Sequence, residues 1–437
     1  MAIGARQAAL EILERCRRSK AWSGASIDSS VKKYGLDRRE TALTSQLCLG
    51  VLQNAQLCDF YISCWCSAKL EPKVRDILRL GVYQLLFLDK IPASAAVNES
   101  VSLCRRSGYA RAAGLVNAVL RRVADNRNSL PEPPGAGTAS YLSTKYSHPQ
   151  WLADYMIAER GYDFTENLFA ADNRIPALTI QINTLKVSTA DYLRALDRAD
   201  RPYRLRDGLT GCVELDGGSV TALPGYEEGL FYVQDTAARA AVAVSGIRRG
   251  MRVLDACSCP GGKSFAAAMQ MNGEGSILAC DIHEKKLSLV REGAERLGIG
   301  IVSTRAMDAR EFDPALENGF DAVIADVPCS GLGVIRKKPE IREKTREELS
   351  SLPAIQSAIL DNLSRYVRPG GTLLYSTCTL LREENGDVVR DFLSRHGDFT
   401  PVDFSLGGIV SENGMYTFFP HIDGTDGFFV ARLARMN

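Results

Sequence analysis

The chain has 437 residues, of which 45% are hydrophobic and 24% charged, and its formal net charge is +1. Those proportions are ordinary for a globular protein, and the length allows two or three domains. No apolar run approaches the ~20 residues needed to span a bilayer, and the amino terminus, MAIGARQAALEILERCRRSK, carries charges every few residues and has no signal-peptide core. A cytoplasmic protein with no membrane partner is expected.

The twelve cysteines are scattered, which argues against a disulfide scaffold in a chain of this length. Cys64/Cys66 and Cys257/Cys259 are C-x-C pairs and only four histidines are present, so no metal site is expected. The small net charge hides an asymmetry. Residues 1–130 hold 20 Lys and Arg against 11 Asp and Glu, a balance of +9, and the remainder carries −8. A basic segment of this kind is the electrostatic footprint of a polyanion-binding surface, and equally of a solvated helical face.

Residues 1–127 read as all-helical. Ala9, Ile12, Leu13 and Cys16 fall at i, i+3, i+4 and i+7, one face of a helix. Similar stripes recur at 43–52, 74–88 and 113–123, with Gly35, Pro72, Pro92 and Gly108 as breakers between them. Arg105, Arg106, Arg111, Arg121 and Arg122 give the bundle a basic face. The segment 128–140, NSLPEPPGAGTAS, is a linker by composition. His148, Pro149 and Trp151 open a helix, with proline at an early position. Strands are predicted at 177–182, 203–205, 212–215 and 230–234, with a helix at 188–199, so residues 141–234 form a small α+β module. From Asp235 onward, helices alternate with strands at Val253, Ile277, 301–304, 322–324, 372–375 and 428–433. Alternation of this kind predicts a parallel sheet covered on both faces, over residues 235–437.

The stretch 253–281, VLDACSCPGGKSFAAAMQMNGEGSILACD, organises that last part. It reads as strand, glycine turn, helix, strand and acid. In a doubly wound sheet a ligand lies at the carboxyl ends of the strands, and a carboxylate after the second strand accepts from ribose hydroxyls. Gly262, Lys263 and Ser264 end like a P-loop, but its leading glycine would fall at Cys257. The dinucleotide pattern G-x-G-x-x-G is absent. An S-adenosylmethionine pocket with Asp281 on the ribose remains, beside an ordinary βαβ turn in which Asp281 caps the helix from Glu284.

Asp326-Val327-Pro328-Cys329-Ser330 follows one predicted strand, and Cys378, in Tyr375-Ser376-Thr377-Cys378-Thr379, follows another. Both cysteines leave carboxyl ends of strands in one sheet and can converge on its ligand crevice. A lone cysteine there is usually a small buried hydrophobe; two, flanked by polar residues, point to chemistry. Beside a methyl donor, a thiolate that adds to cytosine C6 makes C5 nucleophilic, after which a base removes the C5 proton and the thiol leaves. Asp326 can stabilise the charge that develops at N3, if protonated or suitably hydrogen-bonded. Past Cys329, Arg336, Lys337, Lys338 and Arg342 form a basic loop suited to RNA phosphates, or simply solvated.

Two resemblances sharpen this reading. The phrases ILRLGVYQLLFLDKIPASAAVNESV and GLVNAVLRRV resemble the NusB-like RNA-binding domain. Cys257–Lys263, Asp326–Leu332, Ser376–Thr379 and the segment PHIDGTDGFF from Pro420 to Phe429 resemble the RNA cytosine-5 methyltransferases. Together they cover essentially the whole chain. They imply an all-α NusB-like bundle, a small α+β RNA-recognition module and an α/β Rossmann-like methyltransferase domain. They further imply Cys378 as nucleophile, Cys329 in product release and Asp326 at cytosine N3. The donor, S-adenosylmethionine, would be held by Cys257, Ser258, Cys259, Pro260, Gly261, Gly262 and Lys263 with Asp281, Asp308 and Asp326. Lys263 has a second reading, as the neutralising partner of a site carboxylate. The implied substrate is 16S rRNA, at cytosine 967, and a monomer is expected. The chain departs from the family's pattern at Ser258-Cys259, where Ala-Ala or Ala-Pro is usual, and at Gln181, where Arg is common; the latter puts an RNA contact in doubt. Two other readings stay open. One is an RNA-binding, antitermination-like factor with an inactive methyltransferase domain, which the intact Asp326, Cys329 and Cys378 oppose. The other is a cytosine-5 methyltransferase acting on tRNA or DNA; the DNA type would place its nucleophile at Cys329 and leave Cys378 unexplained.

Overall fold

The computed structural model describes residues 3–19 and 22–437. The chain divides into two compact units, one made of residues 1–174 with 335–347, the other of residues 175–334 with 348–437.

The first unit is helical. Its helices run Ala5–Ser19, Ser23–Tyr34, Arg38–Gln53, Ala55–Trp65, Pro72–Phe87, Ala93–Arg106 and Ala113–Asp125, then Ala139–Tyr146, Gln150–Arg160 and Tyr162–Asp172. The stripe Ala9, Ile12, Leu13 and Cys16 is buried, as its spacing predicts. Gly35 ends the second helix at φ 60°, and Asp37 caps the third by accepting from the Glu40 amide at 2.8 Å. Pro72 opens the fifth helix at a position where its missing N–H costs nothing. Gly50 is required by packing: a Cβ there would lie 1.9 Å from the Tyr83 ring, so glycine permits the crossing of the third and fifth helices.

The segment 335–347 belongs to this unit and corrects one expectation. Arg342 is buried, 7% exposed, and holds no solvated position from which to meet RNA. Its Nη1 donates to the carbonyls of Tyr146 at 2.7 Å and Gln53 at 2.9 Å, and its Nη2 to Asn173 Oδ1 at 2.7 Å. Helix ends leave carbonyls without intrahelical partners, and a guanidinium supplies donors for several at once. Burial pulls the Arg342 pKa down to about 10, against the pull of Asp172.

The second unit begins with a four-stranded antiparallel sheet. Its strands are β1 (Leu178–Ile182), β2 (Tyr203–Leu205), β3 (Cys212–Leu215) and β4 (Phe231–Val233), in the order β2-β3-β1-β4. The helix Thr189–Arg198, capped by Ser188, supplies Tyr192 and Leu196 to a core shared with Ile180, Val213 and Phe231. Gln181 lies within this sheet, buried, and its Nε2 donates to Gln234 O at 3.1 Å and approaches Cys212 Sγ at 3.2 Å.

The larger sheet contains β5 (Arg252–Asp255), β6 (Ser276–Asp281), β7 (Val302–Ala306), β8 (Phe320–Asp326), β9 (Val367–Thr377) and β10 (Phe399–Pro401). A separate two-stranded ribbon pairs β11 (Ser405–Leu406) with β12 (Ile409–Val410), after which β13 (Met415–Phe418) and β14 (Phe428–Arg435) rejoin the sheet. The order is β10-β14-β9-β8-β5-β6-β7, with β13 on β14. Side chains alternate across the sheet. Val253, Ile324 and Leu374 enter one core, and Leu254, Val323, Leu373 and Tyr375 the other. The sheet is therefore covered on both faces, as expected. It is parallel only from β9 to β7, however; β14 runs antiparallel to β9, and β10 and β13 each pair antiparallel with β14. The connection from Phe418 to Phe428 is too short for the crossover of a dozen or more residues that a parallel return requires.

Candidate active site

Strands β5, β6 and β8 each end in a carboxylate, Asp255, Asp281 and Asp326, and β9 ends one residue before Cys378. The parallel register sets Asp326 opposite Ser376, so that Ser376 Oγ donates to Asp326 Oδ1 at 2.8 Å. Lys263 Nζ donates to Asp326 Oδ2 at 2.6 Å and lies 5.0 Å from the centre of the Phe428 ring. Burial alone would lower the Lys263 pKa; the charge and hydrogen bond of Asp326, with Asp255 and Cys378 adding to them, outweigh it and the net shift is upward. Asp326 is thus an acceptor on both oxygens. Lys263 takes the neutralising role considered above.

The two cysteines meet. Cys329 Sγ lies 3.2 Å from Cys378 Sγ and accepts from the Cys378 amide at 3.3 Å. The hydrogen bond with Cys378, then burial, then the charges of Cys378 and Glu384 push the Cys329 thiol well above its usual range. A thiol in this setting keeps its proton at neutral pH. Cys378 is partly exposed, and Lys263 is its nearby positive charge.

A cleft of about 330 Å³ opens at the same strand ends, lined by Cys257, Cys259, Asp281, Met307, Asp308, Asp326 and neighbours. Of the stretch 257–263, Cys257 and Cys259 line it directly. Ser258 is buried and its amide donates to Cys280 O at 2.7 Å. Pro260 follows a cis bond, Gly261 takes φ 109°, and Gly262 starts the helix Gly262–Gln270. The two cleft thiols are poor nucleophiles. Burial raises Cys257 well above the usual range, and burial with the nearby Asp281 raises Cys259 to about 12.

Asp281 Oδ1 accepts from the His283 amide at 2.8 Å, which fixes the turn; the helix Glu284–Leu297 has His283 at its cap position and no side-chain cap. Asp308 is gripped by Arg310, with Nη2 to Oδ2 at 2.6 Å, and that bond lowers its pKa. The walls between these acids include Ile282, Met307 and Ile359. Acceptors at the mouth and apolar walls suit a ligand with hydroxyls and a flat ring, so the residues fit a nucleoside-bearing donor.

The sequence reading missed the support behind the cysteines. Glu384, six positions after Cys378, is 1% exposed and accepts from the Ser330 amide, Gln356 Nε2 and Thr379 Oγ1. The acidic run Glu383-Glu384 signals only a solvated turn, and nothing in its spacing marks the second acid as buried.

Comparisons with known proteins agree with this architecture. Residues 245–434 match the model described as 16S rRNA methyltransferase RsmB/F, residues 4–125 the NusB family, and residues 148–221 the ferredoxin-like domain of RsmF/B-like methyltransferases. A probable ribosomal RNA small subunit methyltransferase B of Bacillus subtilis (strain 168) is 33% identical over 98% of each chain. The chain belongs to the RsmB/F family of 16S rRNA methyltransferases. A second relative of the same description, from Synechocystis, is 32% identical over 99% of this chain and 100% of its own. Among solved structures, PH0851 superposes with a TM-score of 0.81 at 25% identity over 99% of both chains. NSun6 from Pyrococcus horikoshii shares the fold, with a TM-score of 0.60 at 20% identity, over 65% of this chain and 97% of its own. The family's enzymatic character, its NusB-like bundle and its methyltransferase fold are therefore those of this chain. No helix among the described residues is long and apolar enough to cross a membrane.

Proposed function

We propose that this enzyme methylates C5 of a cytosine in 16S rRNA, at cytosine 967, through a transient bond between Cys378 and C6 of the base. The observation that carries the reading is the contact between Cys329 and Cys378 beside an Asp326 held by Lys263 and Ser376. S-adenosylmethionine, when bound, supplies an electrophilic methyl group. Asp281 would take its ribose hydroxyls, Cys257, Cys259 and Asp308 would line its site, and Ile282, Met307 and Ile359 would flank its ring.

The Cys378 thiolate adds its electron pair to C6 and leaves C5 enamine-like; C5 could then take the methyl group that the donor would supply, the pair of the broken S–CH3 bond returning to the donor sulfur as a neutral thioether. Asp326, when protonated, would donate to N3 as negative charge develops there, and Lys263 would offset the carboxylate left behind. After transfer, C5 carries both a methyl group and a proton. Loss of that proton to a base returns the electron pair to the C5–C6 bond and expels Cys378 as thiolate. Cys329, a thiol in contact with that sulfur, is placed to donate a hydrogen bond as it leaves. The basic helical unit would hold RNA phosphates at the surface of Arg105, Arg106, Arg111, Arg121 and Arg122, all exposed.

The test is transfer of labelled methyl from S-adenosylmethionine to 16S rRNA made without modifications, followed by bisulfite mapping. A single protected cytosine at 967 is expected. Labelling of another RNA with 16S rRNA left unmodified would replace the substrate assignment.

A further inference from the structure

Behind the two thiols lies a buried network that the chemistry above does not use. Ser330 directly follows Cys329, and Thr379 directly follows Cys378. Their hydroxyls are 2.6 Å apart. Glu384 joins both: Oε2 accepts from the Ser330 amide at 2.9 Å, and Oε1 accepts from Thr379 Oγ1 at 3.1 Å. Gln356, on the helix Leu352–Ser364, donates through the same Nε2 to Glu384 Oε2 at 2.8 Å and to Pro328 O at 3.0 Å. The Glu384 carbonyl accepts from Tyr375 OH at 2.6 Å, tying the clamp to β9. No Lys or Arg pairs with this carboxylate among the described residues, so three donors satisfy a charge taken out of water. Burying a carboxylate is costly unless it is hydrogen-bonded, and here every bond to its oxygens comes from a catalytic loop or from the helix behind one.

We propose that Glu384 is a positioning residue that sets the distance between Cys329 and Cys378 by clamping the residue after each. The two loops arise from different strands, 49 positions apart at the cysteines. The ladder of β8 with β9 ends at Asp326 and Ser376; past it, two backbone bonds, Val327 N to Ser376 O at 3.1 Å and Gly333 N to Cys378 O at 2.9 Å, still link the two loops, but neither holds Cys329 or the residue after it. At that level the carboxylate adds the link between Ser330 and Thr379. The catalytic consequence rests on Cys378 being the nucleophile; the geometric claim does not.

The experiment compares the full-length wild type with Glu384→Gln, Glu384→Ala and Thr379→Val. Gln keeps an oxygen for Ser330 and Gln356 and turns its amide toward Thr379, whereas Ala removes all three bonds. The first readout is the rate at which diamide, which takes up two electrons and two protons, closes a Cys329–Cys378 disulfide, followed by peptide mass spectrometry. The second is kcat and KM for RNA and donor. The clamp predicts slower disulfide closure in Glu384→Ala and Thr379→Val, with Glu384→Gln close to the wild type. It also predicts a loss of about 100-fold in kcat for Glu384→Ala at little-changed KM, the scale expected of an ångström misplacement. Wild-type closure in both Glu384→Ala and Thr379→Val would overturn the proposal, as would equal losses in the Gln and Ala variants. Slowed closure together with an active Cys378→Ala enzyme would support the clamp and overturn the nucleophile assignment instead.

Discussion

The sulfur atoms of Cys329 and Cys378 lie 3.2 Å apart, each just beyond the carboxyl end of its strand. Neither thiol can be replaced without altering the surroundings of the other, so the two substitutions separate attack from release. Cys378→Ala forms no covalent adduct and no product. Cys329→Ala attacks, transfers methyl and then stalls, giving a slowly migrating protein–RNA band on a denaturing gel. The double variant shows no band, because attack precedes release. An adduct in the Cys378→Ala lane would reverse the two roles, as a DNA-type assignment requires.

Asp281 is expected to act on donor affinity alone. Asp281→Ala leaves donor hydroxyls without an acceptor and should weaken S-adenosylmethionine binding by about 1–3 kcal/mol. Calorimetry checks this, with Asp281→Asn as a partial rescue. Wild-type affinity in the alanine variant would remove Asp281 from the donor site.

The arginines should divide by burial. Exchanging the exposed Arg105, Arg106, Arg121 and Arg122 for Gln should flatten the salt dependence of RNA binding, by about 0.7–0.9 in log–log slope for each phosphate left without its guanidinium. Arg342→Ala should instead destabilise the helical unit, by about 1–3 kcal/mol for a carbonyl left unpaired, in urea denaturation. An unchanged slope in the fourfold variant would leave its charge as mere surface.

Asp255 predicts a pH effect. It is fully buried, with Ser264 Oγ donating to Oδ2 at 2.7 Å. Burial raises its pKa to about 7; Ser264 opposes the shift and the Asp326 charge adds to it. The folded state therefore holds this proton more tightly than the unfolded chain, whose carboxyl titrates near ~3.9. The stability it contributes is full below pH ~4 and is lost as pH rises through about 7, by up to ~4 kcal/mol. Asp255→Asn keeps an acceptor for Ser264 and cannot ionise. Its melting temperature should exceed the wild type's at pH 8 and match it near pH 4. Equal melting temperatures at both pH values would count against a neutral Asp255.

Much of this was legible in the residues because hydrophobic periodicity and strand-end chemistry are local. The run through Val253 and Leu254 shows its strand without help, and the acid after β6 shows where a ligand would sit. Short antiparallel pieces were not legible: β10 and β13 have three and four residues and mixed burial, too little for an alternating pattern to declare itself. Buried charge was the other blind spot. Arg342 and Glu384 look like surface residues because their partners lie elsewhere in the chain. Tyr146 and Asn173 precede Arg342 by 196 and 169 positions, and no neighbour of Glu384 in sequence announces that Ser330, 54 positions earlier, will meet it.

The assignment of residues 335–347 to the helical unit bears on the order in which the protein is made. During synthesis the amino-terminal helices emerge long before Arg342 does. Until residue 347 has left the ribosome, the carbonyls of Gln53 and Tyr146 lack the guanidinium that serves them in the finished molecule. The bundle thus receives its last segment only after the chain has passed through the first strands of the larger sheet, β5 to β8. A fragment ending near residue 174 would hold the ten α-helices from Ala5 to Asp172 but not the segment 335–347, and should be less stable than the same helices in the whole enzyme.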